Sequence, residues 1–279
     1  MWTSARIEEV PRWALMWGMA LAIYASLKVL SWQTRRVHHP FHHPSLVRQV
    51  GYLLGWPGMN ADRFLDATHE AGAVPSPREW SLAIGKFVLG CLLLLTLLET
   101  LPRWPALFAG WMGILAMGLI LHFGLFHILS CVWRAADVDA EAIMNRPLLS
   151  RTVSEFWGRR WNAAFRDLTF KFLFQPFRRS LGPTGALFFS FLVSGLVHDL
   201  VISIPAGGGW GLPTLYFVIQ GTWLLFERTR FWRSRKISRG WWGRFTTLAV
   251  VIGPCPLLFH SWFVRDVVVP FLEALRSLL

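Results

Sequence analysis

The stretch PTGALFFSFLVSGLVHDLVISI, residues 183–204, sets the fold class. It is as long as the roughly 20 apolar residues that carry an α-helix across the hydrocarbon core of a bilayer. His198 and Asp199 stand side by side within it. Comparable apolar runs lie on both sides, at 13–30, 82–98 (with Lys86 near one end), 104–133, 212–226 and 245–264. The last is interrupted by Gly253-Pro254 and by Pro256, and the tail 267–279 is short enough to lie at an interface. The run 104–133 would reach roughly 45 Å as one helix. It must therefore tilt strongly or break near Gly118 or Gly124. No clear small-x-small cleavage site follows 13–30, so this run reads as a retained first span. The expectation is an all-α, polytopic bundle of roughly six to eight spans. It forms a single integral membrane domain over 1–279, with an amphipathic interfacial helix near 154–175.

Composition agrees. Of 279 residues, 54% are hydrophobic and 16% charged, where a soluble domain carries about 25% charged residues. The formal net charge is +12. Basic residues collect in the connections, with Arg228, Arg230, Arg233, Arg235, Lys236, Arg239 and Arg244 in 227–244 against Glu227 alone. Segment 134–182 is again rich in arginine, while 205–211 is uncharged. Basic loops stay on the cytoplasmic side, so 134–182 and 227–244 are expected there and 205–211 opposite. The polar, proline-containing segment 31–80 is expected to run along the cytoplasmic bilayer surface. Basic residues set between spans argue against nucleic acid as a partner and for membrane lipids. Cys91, Cys131 and Cys255 lie in or beside apolar runs without a C-x-x-C pair and read as buried thiols.

Two segments could carry chemistry. Thr152 and Glu155 have capping-box spacing, so a helix is expected to start there. Trp157, Trp161, Phe165, Leu168 and Phe172 then make one apolar face. Arg159, Arg160, Arg166 and Lys171 project elsewhere, and Pro176 ends the helix. Asn162 sits within it, as either a solvated surface amide or a functional group. In the span 183–204, Ser190, Ser194 and His198 recur every four residues along one helix face. His198 is either a structural hydrogen-bonding group or a neutral imidazole acting as a general base. Asp199 points elsewhere and need not pair with it. His39, His42, His43, His122 and His127 invite a di-iron reading. They are too few, and His69, His198 and His260 too isolated, to complete such a site. No G-x-S-x-G elbow, glycine-rich phosphate loop or H-E-x-x-H occurs.

The motif SEFWGRRWN, 154–162, followed by FLVSGLVH, 191–198, resembles the wax synthase branch of the membrane-bound O-acyltransferase family. The resemblance covers mainly residues 150–200. It implies a multi-spanning enzyme that moves an acyl group from acyl-CoA to a hydroxyl, with acyl-CoA as co-substrate and neither metal nor other cofactor. Its functional pair maps onto Asn162 and His198. His198 would take the acceptor's proton, and Asn162 would orient the reactants or donate to a substrate oxygen. Arg159 and Arg160 would meet the CoA phosphates, with Trp161 and Ser194 as further substrate-binding residues. Long-chain alcohols giving wax esters are the first acceptor, sterols the second. A transporter or lipid-binding protein with Ser190, Ser194 and His198 lining a passage is the alternative. A di-iron lipid desaturase or hydroxylase comes third. The charge pattern makes a direct prediction. Single cysteines placed in 134–150 or 227–244 will react with impermeant maleimide only from the cytoplasmic side, and those in 206–210 only from the other. Labelling of both basic segments from outside would reverse the orientation.

Overall fold

The computed structural model describes residues 10–38, 44–67, 72–234 and 240–279. His39, His42, His43, His69, Arg235, Lys236 and Arg239 lie outside the described residues. Every regular element among the described residues is a helix. Four are long and apolar enough to cross a membrane: α1 (Arg12–His38), α4 (Pro77–Thr100, extended by one turn to Arg103), α5 (Ala106–Ala135) and α8 (Gly182–Ala206). A fifth candidate is the pair α10 (Gly240–Leu258) and α11 (Ser261–Arg276), bent by 61° at the break. Short helices α2 (Leu46–Leu54) and α3 (Ala61–Leu65) follow α1. Between α5 and α8 lie α6 (153–160) and α7 (163–177), and α9 (Leu212–Glu227) follows α8.

The described helices thus give fewer spans than the apolar runs suggest. The run 212–226 becomes α9, whose 16 residues rise only about 24 Å. The tail 267–279 is no separate element but the end of α11. The long run 104–133 is one continuous helix that passes through a π-helical stretch, Leu119–Leu125, instead of breaking. Gly124 lies in this stretch and touches α4. A Cβ built there would sit 2.7 Å from the Phe87 Cα, so only glycine permits this approach.

The buried charge of Lys28 is met by the protein itself, as an apolar surround requires. Lys28 of α1 is buried and donates to the carbonyls of Trp56 and Gly58, with its ammonium 3.5 Å from the centre of the Tyr52 ring. Ser31 donates to the Met59 carbonyl at 2.7 Å. These bonds clip α1 onto the connection before α3. Tyr52, Trp56 and Phe64 fill that corner together with Ala164 and Leu168 of α7. A second core joins α4, α5, α8 and α11 through Leu97, Ala109, Ile202 and Leu272.

α8 and α9 pack most closely at Gly195. A Cβ there would sit 2.6 Å from the Thr214 Cα. The connection between them is tied by Asp199. Its Oδ1 accepts the Gly211 N–H at 2.9 Å and the Ser203 hydroxyl at 2.8 Å, and its Oδ2 accepts the Thr214 N–H at 3.0 Å and the Thr214 hydroxyl. At the far end of α9, buried Glu227 accepts the Val153 and Ser154 N–H groups at 2.7 and 2.9 Å. These are orphan donors of the first turn of α6, and a carboxylate there also meets the positive end of the helix. Glu227 therefore fixes where α6 starts. Glu227→Ala strands two buried donors and is expected to cost about 2–4 kcal/mol, with Glu227→Gln about half as harmful. Thermal unfolding in detergent checks this, and unchanged Tm values would remove Glu227 from the frame of the fold.

Candidate active site

The segment expected as a single helix over 154–175 is two helices joined at Trp161 and Asn162. It starts as the sequence predicts: the Thr152 hydroxyl accepts the Glu155 N–H at 2.9 Å. Glu155 reaches back one residue further than a capping box requires and accepts the Arg151 N–H at 2.8 Å. Partial burial works against its charged form, but that N–H and the Arg160 guanidinium at 2.6 Å hold its carboxyl below the usual range. The chain then widens into a π turn over Phe156–Arg160, closed by the Trp161 N–H on the Phe156 carbonyl at 2.8 Å, and leaves the helix. Trp161 is extended, and Asn162 is left-handed with φ 43° and ψ 68°.

The break occurs at Asn162 for local reasons. Asparagine tolerates the left-handed region better than other non-glycine residues. Its Oδ1 caps the next helix by accepting the Phe165 N–H at 3.1 Å. Loop 143–145 takes over the backbone bonds lost at the break: Asn145 N–H donates to the Arg160 carbonyl at 2.8 Å and Ala163 N–H to the Ile143 carbonyl at 3.0 Å. Asn162 is thus neither a solvated surface amide nor part of a helix interior. Pro176 does not end α7, which runs through it to Phe177.

The tryptophan face of this segment packs inward. Trp157 meets Phe191 and Phe217, and its indole N–H donates to Gln220 Oε1 at 3.2 Å. Gln220 Nε2 in turn donates to the Val250 carbonyl at 2.9 Å. Trp161 stacks on Phe156 with centroids 5.3 Å apart and meets Phe123 of α5 at 6.1 Å. Arg159 is exposed. Arg160 is half-buried and engaged, pairing with Glu155 and donating to the Asn145 and Arg146 carbonyls at 3.4 Å.

His198 lies on α8 between two aromatic rings, Phe217 at 4.5 Å and Phe165 at 6.2 Å between centroids. Phe165 is the residue whose N–H Asn162 holds. Asn162 and His198 thus each meet Phe165, one at its backbone N–H and the other at its ring. The His198 Nδ1 is 2.7 Å from the Ser194 carbonyl oxygen. A carbonyl only accepts, so Nδ1 carries a proton, and in the neutral imidazole Nε2 then keeps its lone pair. Ser190 and Ser194 are buried, and their hydroxyls donate to the carbonyls of Ala186 and Ser190 at 2.8 and 2.7 Å. Both serine protons are thus committed within their own helix. Asp199 spends its hydrogen bonds on 203–214, and none joins it to His198 among the described residues, in line with its angular position in the sequence.

The other histidines have separate surroundings. His127 joins a network between α4 and α5: Lys86 Nζ donates to its Nδ1 at 2.8 Å, and its Nε2 donates to Glu79 at 3.1 Å. Glu79, His127 and Cys131 present ligand atoms within 4.8 Å of one another. The Arg134 guanidinium bonds Glu79 and lies 3.7 Å from the Cys131 Sγ, so a fixed cation already stands among them. His260 bonds Ser203 at 3.3 Å and accepts the Phe263 N–H at 3.2 Å.

Residues 140–219, which hold both Asn162 and His198, match the model of the membrane bound O-acyl transferase family. This segment is similar to that family, and the chain is an integral membrane protein. The acyltransferase likeness extends to individual proteins of Arabidopsis thaliana. One is named "Probable long-chain-alcohol O-fatty-acyltransferase 1"; it is 33% identical over 175 residues, covering 57% of this chain and 50% of the relative. Another, "Probable long-chain-alcohol O-fatty-acyltransferase 9", is 32% identical over 149 residues, 47% of this chain and 42% of the relative. A third, "Acyl-CoA--sterol O-acyltransferase 1", is 32% identical over 92 residues, 29% of this chain and 27% of the relative. The likeness is to the wax synthase branch, and the matches span half or less of these relatives' lengths.

Asp199, Glu227 and Gln220 were not legible as site supports in the sequence. The available signal was weak: an acid in or beside an apolar span, near a turn or helix start that needs acceptors. The cap makes a stability prediction for Asn162. Asn162→Ala loses the cap and strains the left-handed turn, for about 2 kcal/mol in sum. Asn162→Asp keeps an acceptor oxygen and tolerates the turn, so its Tm in detergent should stay near wild type. An equal loss in both variants would deny Asn162 its capping role.

Proposed function

We propose that this protein transfers an acyl group from acyl-CoA to the hydroxyl of a lipophilic alcohol within the membrane. A long-chain alcohol giving a wax ester is the first acceptor and a sterol the second. The observation that carries this reading is the His198 tautomer, with Nδ1 tied to the Ser194 carbonyl and Nε2 left basic, beside the helix that Asn162 caps. The relatives' names supply the substrate classes.

In this mechanism the alcohol donates its O–H to His198 Nε2 as its oxygen attacks the thioester carbonyl. Negative charge develops on the carbonyl oxygen, where the Asn162 Nδ2 group is free to donate while Oδ1 holds the cap. The C–S bond then breaks. The imidazolium returns its proton to the departing thiolate, giving ester and free CoA. Ser194 acts through its carbonyl, by fixing the tautomer. Phe165, Phe217 and Trp161 line an apolar setting that favours the alcohol over water as acceptor. The basic segments 134–182 and 227–244 are expected from their charge on the cytoplasmic side, from which acyl-CoA approaches. The passage reading is weaker, because the hydroxyls of Ser190 and Ser194 are spent within α8.

Purified protein in nanodiscs, given labelled palmitoyl-CoA and hexadecanol, should form ester. His198→Ala is expected to fold and insert but to lose roughly 10²–10⁴-fold in turnover, with His198→Gln nearly as inactive. Asn162→Asp, folded but without the amide donor, should also lose turnover. Near-normal turnover of a well-folded His198→Ala protein would end the general-base role. Wild type that forms no ester with either class of alcohol would end the acyltransferase reading.

A further inference from the structure

α7 and α8 form a helical hairpin closed by the turn at 178–181. At its open end Phe165 faces His198; near its closed end Phe177 packs on Phe189 at 4.7 Å. From Gly182 to His198 the chain climbs 16 residues, roughly 24 Å of helix. At the closed end an open cleft of about 500 Å³ is lined by Lys171, Gln175, Pro176, Arg178 and Arg179. Lys171 is held by Asp62 at 3.1 Å. Arg178 and Arg179 are exposed, and neither guanidinium has a hydrogen bond or ion pair among the described residues. Arg160, by contrast, is spent on Glu155 and two carbonyls.

We propose that this cleft holds the phosphates of the nucleotide end of acyl-CoA, while its thioester lies at Asn162 and His198 at the other end of the hairpin. The assignment rests on the acyltransferase reading. Acyl-CoA is a long molecule with its negative charge at one end and its reacting carbon at the other, joined by a flexible pantetheine arm. A hairpin with two free guanidinium groups at one end and a basic imidazole at the other matches that separation. Guanidinium groups bind phosphate oxygens in pairs of parallel hydrogen bonds, and Gln175 adds an amide that can both donate and accept. An anionic lipid headgroup shares the phosphate chemistry but has no thioester to deliver along the hairpin.

The test uses the full chain in neutral phosphatidylcholine nanodiscs and two donors, palmitoyl-CoA and the phosphate-free S-palmitoyl-pantetheine. In the double variant Arg178→Ala/Arg179→Ala, the preference for palmitoyl-CoA, as a ratio of kcat/KM values, should fall roughly ten- to a hundredfold, mainly through KM. Arg178→Lys/Arg179→Lys should recover part of it. An unchanged ratio overturns the proposal, whether both activities hold or both fall together. Equilibrium binding of adenosine 3′,5′-bisphosphate gives an independent reading. Weaker binding by the double variant upholds the site, and equal binding overturns it, even if wild type transfers from neither donor and the acyltransferase reading itself falls. An effect confined to nanodiscs containing phosphatidylglycerol would reassign the cleft to lipid.

Discussion

Asn162 holds a left-handed backbone and caps α7 through the Phe165 N–H. That break ends α6 and starts α7, on which Phe165 faces His198. Without it, the apolar face from Trp157 to Phe172 would continue as one helix along the membrane surface. The turn is supported from outside by loop 143–145, which takes the backbone bonds that a continuous helix would have made. One residue thus sets the backbone of the helix whose Phe165 ring meets the imidazole.

The supports of this joint are acids placed at helix starts. Glu227 accepts the first N–H groups of α6, and Asp199 accepts those of Gly211 and Thr214 where α9 begins. In an apolar surround, an orphan N–H without water must find an acceptor in the chain, and a carboxylate offers several. The same constraint explains the carbonyl cage around Lys28 and the Glu79, His127 and Arg134 network. It also explains why the serines of α8 turn back onto their own helix.

The site separates polar groups that are consumed by the fold from those left free. Ser194 gives its carbonyl to His198 and its hydroxyl to Ser190. Arg160 and Glu155 clamp each other. Among the described residues, His198 Nε2 and the Asn162 Nδ2 have no hydrogen-bond partner, and Trp157 and Phe217 build an aromatic setting beside His198. That division follows from chemistry as well as geometry: a group already bonded to the backbone has no donor or acceptor left to offer, whereas an unspent one has.

The sequence alone determined the all-helical class, because apolar runs of span length can satisfy their backbone only as helices in lipid. It also determined the start of α6 at Thr152, the common face of Ser190, Ser194 and His198, and the separation of Asp199 from His198, since these follow from spacing within one helix. Tertiary structure decided what spacing cannot contain. The break at Asn162 depends on loop 143–145, distant in spacing from any helix period. The inward turn of the tryptophan face depends on α8 and α9. The continuity of α5 through its π stretch depends on the close approach of α4 at Gly124. The state of His198 depends on which of its nitrogens meets a carbonyl, which only coordinates in three dimensions assign.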